Sequence, residues 1–471
     1  MVRAARVIAP VLVTALLATG CGTRLSNEEI EAAADGMGRP GGAVPGGRGG
    51  APVPSEGGPV TFGDLPSPCG PGDASGATEV GVTDDEITIV TIADPGGVRP
   101  GLNQGVFDTM KAFGEWCNAQ GGINGRRLNV VLRDAQLTDY QAQVAYACEH
   151  ALALVGGIGV LDQTGVQDQL DCGLPNIPAA AVSPEQTSAG LTVQPLPNPV
   201  DRFLVGPGRW IAGQHPEAPG RAAALRTKLS ILEIQSDRYI EGYEQIGYDF
   251  VFVDSANVSE TNWSPLVLAM KNEGVTYLTL TSSYEEIIPL QKEMALQGFD
   301  PVVELEANFY NAKYPQQAGD TAEGTYVRLT VWPFEEADRN PAMAEYLRVL
   351  REVVPEAEPE LLGVQAWSAA LLWATAVKNL GSEVTRERLM EELTRITDWT
   401  GGGLHGPGNP AANEPGGCFI VMQVADGAFV RRYPLPDEDA EVYRAGNGFA
   451  CPQDSMVELT GDYGQGGRAG G

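Results

Sequence analysis

The sequence predicts an α/β protein of two lobes, each built on a parallel sheet. Three observations predict it. The chain has 471 residues, too many for one ordinary core and enough for two lobes of roughly 150–200 residues. Between Ile87 and Ala181, short β-branched runs alternate with stretches of helical spacing, the rhythm of a doubly wound parallel sheet. After the Pro-rich stretch Pro195–Pro199 the rhythm restarts without repeating the sequence.

The chain opens with Arg3 and Arg6 ahead of a short apolar run, Val7 to Ala18. A run of about a dozen residues is too short to span a bilayer, which needs roughly 20. A basic start, a short apolar stretch and then small residues is a secretory layout, so residues 1–20 are expected to be a signal peptide. Ala18-Thr19-Gly20-Cys21 resembles a bacterial lipobox, with Ala18 where leucine is usual. Cys21 is therefore expected to carry lipid and to hold the protein on the outer face of the cell membrane. From Gly36 to Gly76, 22 of 41 residues are Gly or Pro, too apolar-poor to offset ordering entropy. Residues 21–78 are expected to be a disordered tether with a reach of about 40 Å.

The first lobe starts with the strand Ile87–Ala93. A helix over Asn103–Gln120 follows, with Val106, Met110, Phe113 and Cys117 on one face and Gly121-Gly122 as its stop. Asn124-Gly125 turns the chain into the strand Leu128–Leu132. Thr138 is expected to cap a helix carrying Tyr140, Val144, Cys148 and Ala151. The strand Leu152–Val155, the helix Val166–Cys172 and the strand Ile177–Ala181 complete the lobe. In the second lobe, strands are expected at Ala222–Leu225, Asp249–Val253, Tyr277–Leu280 and Val302–Leu305. Helices are expected at Ile231–Ile246, from Pro265 to Gly274, and at Ile287–Leu296. Two strongly helical stretches, Pro341–Val353 and Gly363–Leu380, come next. A hairpin of Phe419–Val424 and Ala428–Tyr433 turns at Asp426-Gly427. The Gly-rich end, residues 456–471, is expected to be disordered.

Acidic residues outnumber basic ones 61 to 31, a formal charge of −30. Such a surface repels nucleic acid and anionic lipid. Only three histidines occur, His150, His215 and His405, and none forms a metal-ligand pattern, so no metal is expected. Gly157-Ile158-Gly159 starts like a dinucleotide fingerprint but lacks the third glycine. No phosphate-cradling G-x-x-x-x-G-K-[ST] run and no G-x-S-x-G elbow is present. No cofactor and no enzymatic activity are expected. Removing Cys21 leaves six cysteines, for which fifteen pairings are formally possible. Cys148 with Cys172 on consecutive helices and Cys418 with Cys451 around the hairpin are expected, leaving Cys69 for Cys117.

Gly81-Val82-Thr83-Asp84-Asp85-Glu86-Ile87 leads into the first strand. Trp116-Cys117-Asn118-Ala119-Gln120-Gly121-Gly122-Ile123-Asn124-Gly125-Arg126-Arg127-Leu128 joins the first helix to the second strand. With Ile177-Pro178-Ala179-Ala180-Ala181-Val182-Ser183-Pro184, these segments resemble the type I extracytoplasmic solute-binding proteins of ABC transporters, the leucine/isoleucine/valine-binding family. The resemblance runs from about Glu79 to about Cys451. It implies two Rossmann-like lobes, residues 79–198 plus 333–400 and residues 199–332 plus 401–455. Three crossovers would join them, near Pro195–Pro199, Val331–Phe334 and Gly401–Pro410. It further implies a small-molecule ligand, an ABC permease as partner and a monomeric head. A ligand-sensing or adhesive lipoprotein on the same fold is the alternative.

Ligands of open parallel sheets sit beyond the strands' carboxyl ends. That rule and the resemblance place the site on Asp94, Gly159, Asp162, Ala181 and Ser183 from the first lobe. Ser283, Tyr284, Glu306, Asn308 and Tyr310 come from the second. Tyr284 and Tyr310 would wall an apolar part of the ligand, and Glu306 would pair with an ammonium. Ser282 and Ser283 are equally candidates to cap the helix that follows them. Amino-acid-binding members of the family place Ser or Thr directly after the third strand. Here Gly157-Ile158-Gly159-Val160-Leu161-Asp162 offers no hydroxyl before Thr164. The expected ligand is a small polar metabolite, an amino acid, amide or related compound, other than a simple branched-chain amino acid.

Overall fold

A computed structural model of the chain describes residues 60–97 and 99–464. The expected signal peptide, Cys21 and the tether up to residue 59 lie outside the described residues, as does the end of the tail from 465.

Two parallel sheets carry the fold. In the first, the spatial order is Arg127–Asp134, Glu86–Ala93, Ala153–Val155, Asn176–Ile177, all parallel. The chain starts in an inner strand, adds one neighbour and then crosses to the other side, which creates a switch point between Glu86–Ala93 and Ala153–Val155. The second sheet repeats this order with Phe250–Ala256, Ala222–Thr227, Tyr277–Thr281, Val302–Leu305 and Tyr326–Leu329. The hairpin Ile420–Ala425 and Ala428–Tyr433 closes its edge antiparallel. The strand expected over Ile177–Ala181 stops at Ile177. Pro178 has no N–H to continue the ladder, and Ala179 donates instead to Gly157 O at 2.8 Å. The helix Tyr140–His150 begins at Asp139, without the Thr138 cap.

The Pro341–Val353 and Leu361–Leu380 helices return to the first sheet and cover the Gln104–Ala119 helix. Trp367 is the centre of that layer, its ring 5.2–5.6 Å from those of Phe62, Phe113, Trp116 and Tyr346. Gly363 lets the helices approach this closely. A Cβ there would stand 2.6 Å from the Tyr346 hydroxyl and 2.7 Å from Thr109 Oγ1.

Two expectations of disorder are corrected. Residues 60–78 pack on the head: Thr61–Phe62 and Leu65–Pro66 pair, Phe62 is 0% exposed, and Cys69 is bonded to Cys117. At the other end, Met456–Glu458 pairs antiparallel with Arg202–Leu204. In both cases distant side chains bury a segment whose own composition is poor in apolar residues. The other two disulfides are Cys148–Cys172 and Cys418–Cys451, so all three expected pairs are present.

The connections between the sheets run together. Val331 bridges His405, Trp332 N donates to Leu404 O at 2.7 Å, and Gly408 lies against the Pro197 ring. Short, mutually supported strands of this kind let two lobes hinge without repacking their cores.

Candidate functional site

Between the lobes, at the carboxyl ends of both sheets, lies a cavity of about 320 Å³, within the size range of small-molecule sites. Ala179 and Ala180 reach it from the first sheet. Glu306, Asn308 and Arg328 reach it from the second, and Leu361, Leu362 and Gln365 from the start of the long helix. The crossovers Pro195–Pro199 and His405–Gly408 close its base. A larger cavity, about 470 Å³, opens by Gly298–Val303 and Asp320–Tyr326. It touches one lobe only, at the amino ends of its strands, the wrong end for a switch-point ligand.

Most first-lobe candidates brace loops rather than face the cavity. Asp94 is 1% exposed, and its two carboxylate oxygens accept from Leu137 N at 2.8 Å and Val160 N at 2.9 Å. Asp162 is equally buried and accepts from Val182 N at 2.7 Å and Ser183 N at 3.0 Å. Burial pushes its carboxyl up to about 6, against those hydrogen bonds. Ser183 caps the Pro184–Ser188 helix, its Oγ accepting from Gln186 N at 3.1 Å. Gly159 makes room for a protein side chain: a Cβ there would meet the Tyr140 ring at 2.3 Å. Ala181 is buried and donates to Gln194 Oε1 at 3.3 Å. These residues shape the wall on which Ala179 and Ala180 sit.

The second lobe divides differently. Glu306 and Asn308 line the cavity. Asn308 Nδ2 donates to Ser282 O at 2.7 Å, fixing the loop before the Tyr284–Leu296 helix. Ser283 stands at the cap position of that helix without capping it; its Oγ accepts from Arg99 at 3.0 Å. Tyr284 is half-buried nearby, and burial pushes its phenol up to about 12. Tyr310 is not a cleft residue. It is 1% exposed, stacks on Phe334 with centroids 4.8 Å apart and donates to Glu335. The turn Ala307–Phe309 directs it inward.

Arg328, Gln365 and Arg99 were not among the sequence candidates. Arg328 pairs with Glu304 at 3.4 Å and lies over the Tyr239 ring at 4.8 Å. Glu304 is fully buried and accepts from Tyr243 at 2.7 Å and Tyr277 at 2.6 Å. Glu304 and Glu306 alternate in one strand direction and Arg328 follows the neighbouring strand's start by two, so period two puts all three on one face. That alternation is the signal that could have found Arg328. At the base, Trp399 Nε1 donates to Ser368 Oγ at 3.0 Å, and Ser368 Oγ stands 2.8 Å from His405 Nε2. Among the described residues no group of three or more His, Cys, Asp or Glu is arranged to hold a metal. The set can bind, orient and enclose a small molecule.

Comparison with solved structures finds the same architecture. A fatty acid ABC transporter substrate-binding protein from Thermomonospora curvata is 18% identical, covering 82% of this chain and 99% of its own, with TM-score 0.66. A leucine-binding protein from Thermotoga maritima is 16% identical over 73% of this chain and 97% of its own, TM-score 0.59. A solute-binding protein from Rhodopseudomonas palustris, in complex with benzoate, is 15% identical over 78% and 97%, TM-score 0.60. None of the curated proteins matches the sequence. The profile of the family described as periplasmic binding protein matches residues 86–428, well over half of the chain and every parallel strand of both sheets. The chain belongs to the periplasmic binding protein family.

Proposed function

We propose that the chain is the extracytoplasmic binding component of an ABC transporter, capturing a small solute between its lobes and presenting it to a membrane permease. The observation that carries this reading is the cavity at the facing carboxyl ends of two parallel sheets, lined at its base by the crossovers Pro195–Pro199 and His405–Gly408. The lobes are residues 79–198 plus 333–400 and 199–332 plus 401–455, with 60–78 added to the first and 456–464 to the second. Glu306 and Asn308 meet the solute from one side and the backbone around Ala179 and Ala180 from the other, with Ser283 and Tyr284 in the loop that Asn308 fixes. No helix among the described residues is long and apolar enough to cross a membrane. Attachment to the outer face of the membrane is assigned to lipid on Cys21, where two acyl chains suffice for stable anchoring.

Family relatives named for leucine, fatty acid and benzoate make the ligand a property of each member's cleft. Here the loop after the third strand offers no hydroxyl before Thr164, and its acid, Asp162, is engaged by Val182 N and Ser183 N. That favours a solute other than a simple branched-chain amino acid. A thermal-shift screen of the purified chain against small solutes tests the reading. A true ligand at about 100 times its dissociation constant adds roughly 2.7 kcal/mol of stability. A strong shift with leucine, isoleucine or valine refutes the ligand argument and leaves solute binding intact. No shift with any solute refutes solute binding itself.

A further inference from the structure

Arg328 faces the interlobe cavity with part of its hydrogen-bonding capacity unused. It lines the cavity, and its side chain is 10% exposed. Its Nη1 donates to Glu304 Oε1 at 3.4 Å. Its Nε and Nη2 have no acceptor among the described residues, yet they are not sealed off as Arg126 Nε and Arg238 Nε are. The space they open on is the cavity. A guanidinium so far from bulk water, with donors unmet, costs free energy until an acceptor arrives. A charge-assisted bond formed there is of the strong kind.

The guanidinium is held from behind. Glu304 is 0% exposed and also accepts from Tyr243 and Tyr277, so its charge is shared and it takes one edge of Arg328. The Tyr239 ring lies 4.8 Å from Arg328 Cζ and the Phe203 ring 5.8 Å. Glu306 feels Arg328 through its field and not through a hydrogen bond, and burial pushes its carboxyl up, which weakens it as a competitor. Three side-chain amides of the lining already donate to protein: Gln194 to Asn413 at 3.1 Å, Gln235 to Val182 O at 3.3 Å and Asn308 to Ser282 O at 2.7 Å. Arg202, the other arginine of the lining, is 39% exposed in its side chain and paired with Glu414 at 3.3 Å, so water already meets its donors. Phe203, Leu204, Leu361, Leu362 and Met456 give the cavity apolar walls.

We infer that Arg328 is the residue that holds the solute, its Nε and Nη2 donating to an oxygen of a carbonyl or carboxylate group whose apolar body lies against Phe203, Leu361 and Leu362. The inference rests on the solute-binding reading and gives it a residue and a ligand group.

Titration calorimetry on the full chain with 3-phenylpropionate and 3-phenylpropionamide tests it, the pair separating a carboxylate from a neutral carbonyl on one apolar body. At least one is expected to bind. Arg328→Lys keeps a cation beside Glu304 but loses the planar fork, and should weaken the bound probe by about tenfold or more while the unliganded chain keeps a single cooperative melt. Arg202→Gln should leave the affinity within about twofold, as its exposed donors are already hydrated. An affinity unmoved by Arg328→Lys, or lost instead in Arg202→Gln, overturns the assignment while solute binding stands. Should Arg328→Lys fail to fold, a crystal structure of the parent with the bound probe decides. An oxygen about 3 Å from Arg328 Nε or Nη2 is expected, and an oxygen held only by other groups overturns the assignment. If neither probe binds but another solute stabilises the chain in the thermal-shift screen, the assignment again falls alone. Silence across that whole screen removes the solute-binding reading with it.

Discussion

His405 shows how one residue at the hinge ties stability to pH. It is 3% exposed, and its Nδ1–H donates to Gly406 O at 2.8 Å while Nε2 accepts from Ser368 Oγ. Burial lowers the imidazole from 6.5 to about 4. The unfolded chain therefore takes up this proton below about pH 6.5 and the folded chain only near 4. The contribution is complete above 6.5 and is lost as pH falls through 4, about 3 kcal/mol in all. Urea unfolding at pH 7 and pH 4 should show His405→Gln losing less stability on acidification than the parent, by about that amount. Equal losses in both proteins would show that the imidazole is not held neutral. The sequence around His405 gives no sign of this, because its partner Ser368 lies 37 residues away in the chain. Asp94 directly follows a parallel strand, Asp162 opens a turn seven residues after another, and both carboxylates are taken up by neighbouring loops. An acid after a parallel strand serves a ligand or a neighbouring loop equally well, and only the positions of Val160, Leu137, Val182 and Ser183 decide.

At the scale of elements, regular strands and helices were legible because their signals are local. The alternation of strand and helix follows from β-branched runs and helical spacing, and the Asp426-Gly427 hairpin from its turn residues. The failures are segments ordered from a distance. The stretch after Cys451 reads as polar and glycine-rich, yet Glu241 on the Ser230–Glu244 helix holds it. Glu241 accepts from Thr460 Oγ1 at 2.8 Å, Gly461 N at 3.0 Å and Tyr463 OH at 2.6 Å. Against the upward pull of burial, these bonds lower its carboxyl to about 2. Its contribution is complete above its ordinary pKa and is lost as pH falls through 2. The strap presses at Gly464 on Pro184, where an added Cβ would stand 2.6 Å from the Pro184 Cβ, so it spans from one lobe to the other. Glu241→Gln should release it. Hydrogen exchange at pH 7 is expected to accelerate at the 459–464 amides by tenfold or more, while the Tyr277–Thr281 strand keeps its protection. Unchanged exchange at the strap would mean that the Met456–Glu458 pairing alone holds it.

For the whole molecule, the lobes meet through a few polar bridges that sequence reading missed because each joins irregular loops far apart in the chain. Arg99, in the loop after the first strand, donates to Ser283 Oγ at 3.0 Å and lies 3.6 Å from Glu285. Gln235 reaches Val182 O at 3.3 Å, and Asn311 reaches Glu360 at 3.3 Å. These contacts exist only while the lobes are together, so they weight the closed arrangement against the open one before a ligand adds its own differential binding. The Arg99 bridge is part-exposed, which limits an ion pair of this kind to about 0–1 kcal/mol. That is enough to change the closed fraction up to about fivefold, since 1.4 kcal/mol is a factor of ten. Arg99→Ala should therefore expand the unliganded protein in small-angle scattering and weaken ligand affinity by up to about that factor, as the closed, binding-competent population falls. Added salt should shift the parent in the same direction and the variant less, because screening acts on the same pair. Identical scattering profiles for parent and variant at low salt would remove Arg99 from the closing equilibrium and leave closure to the hydrogen bonds at Gln235 and Asn311.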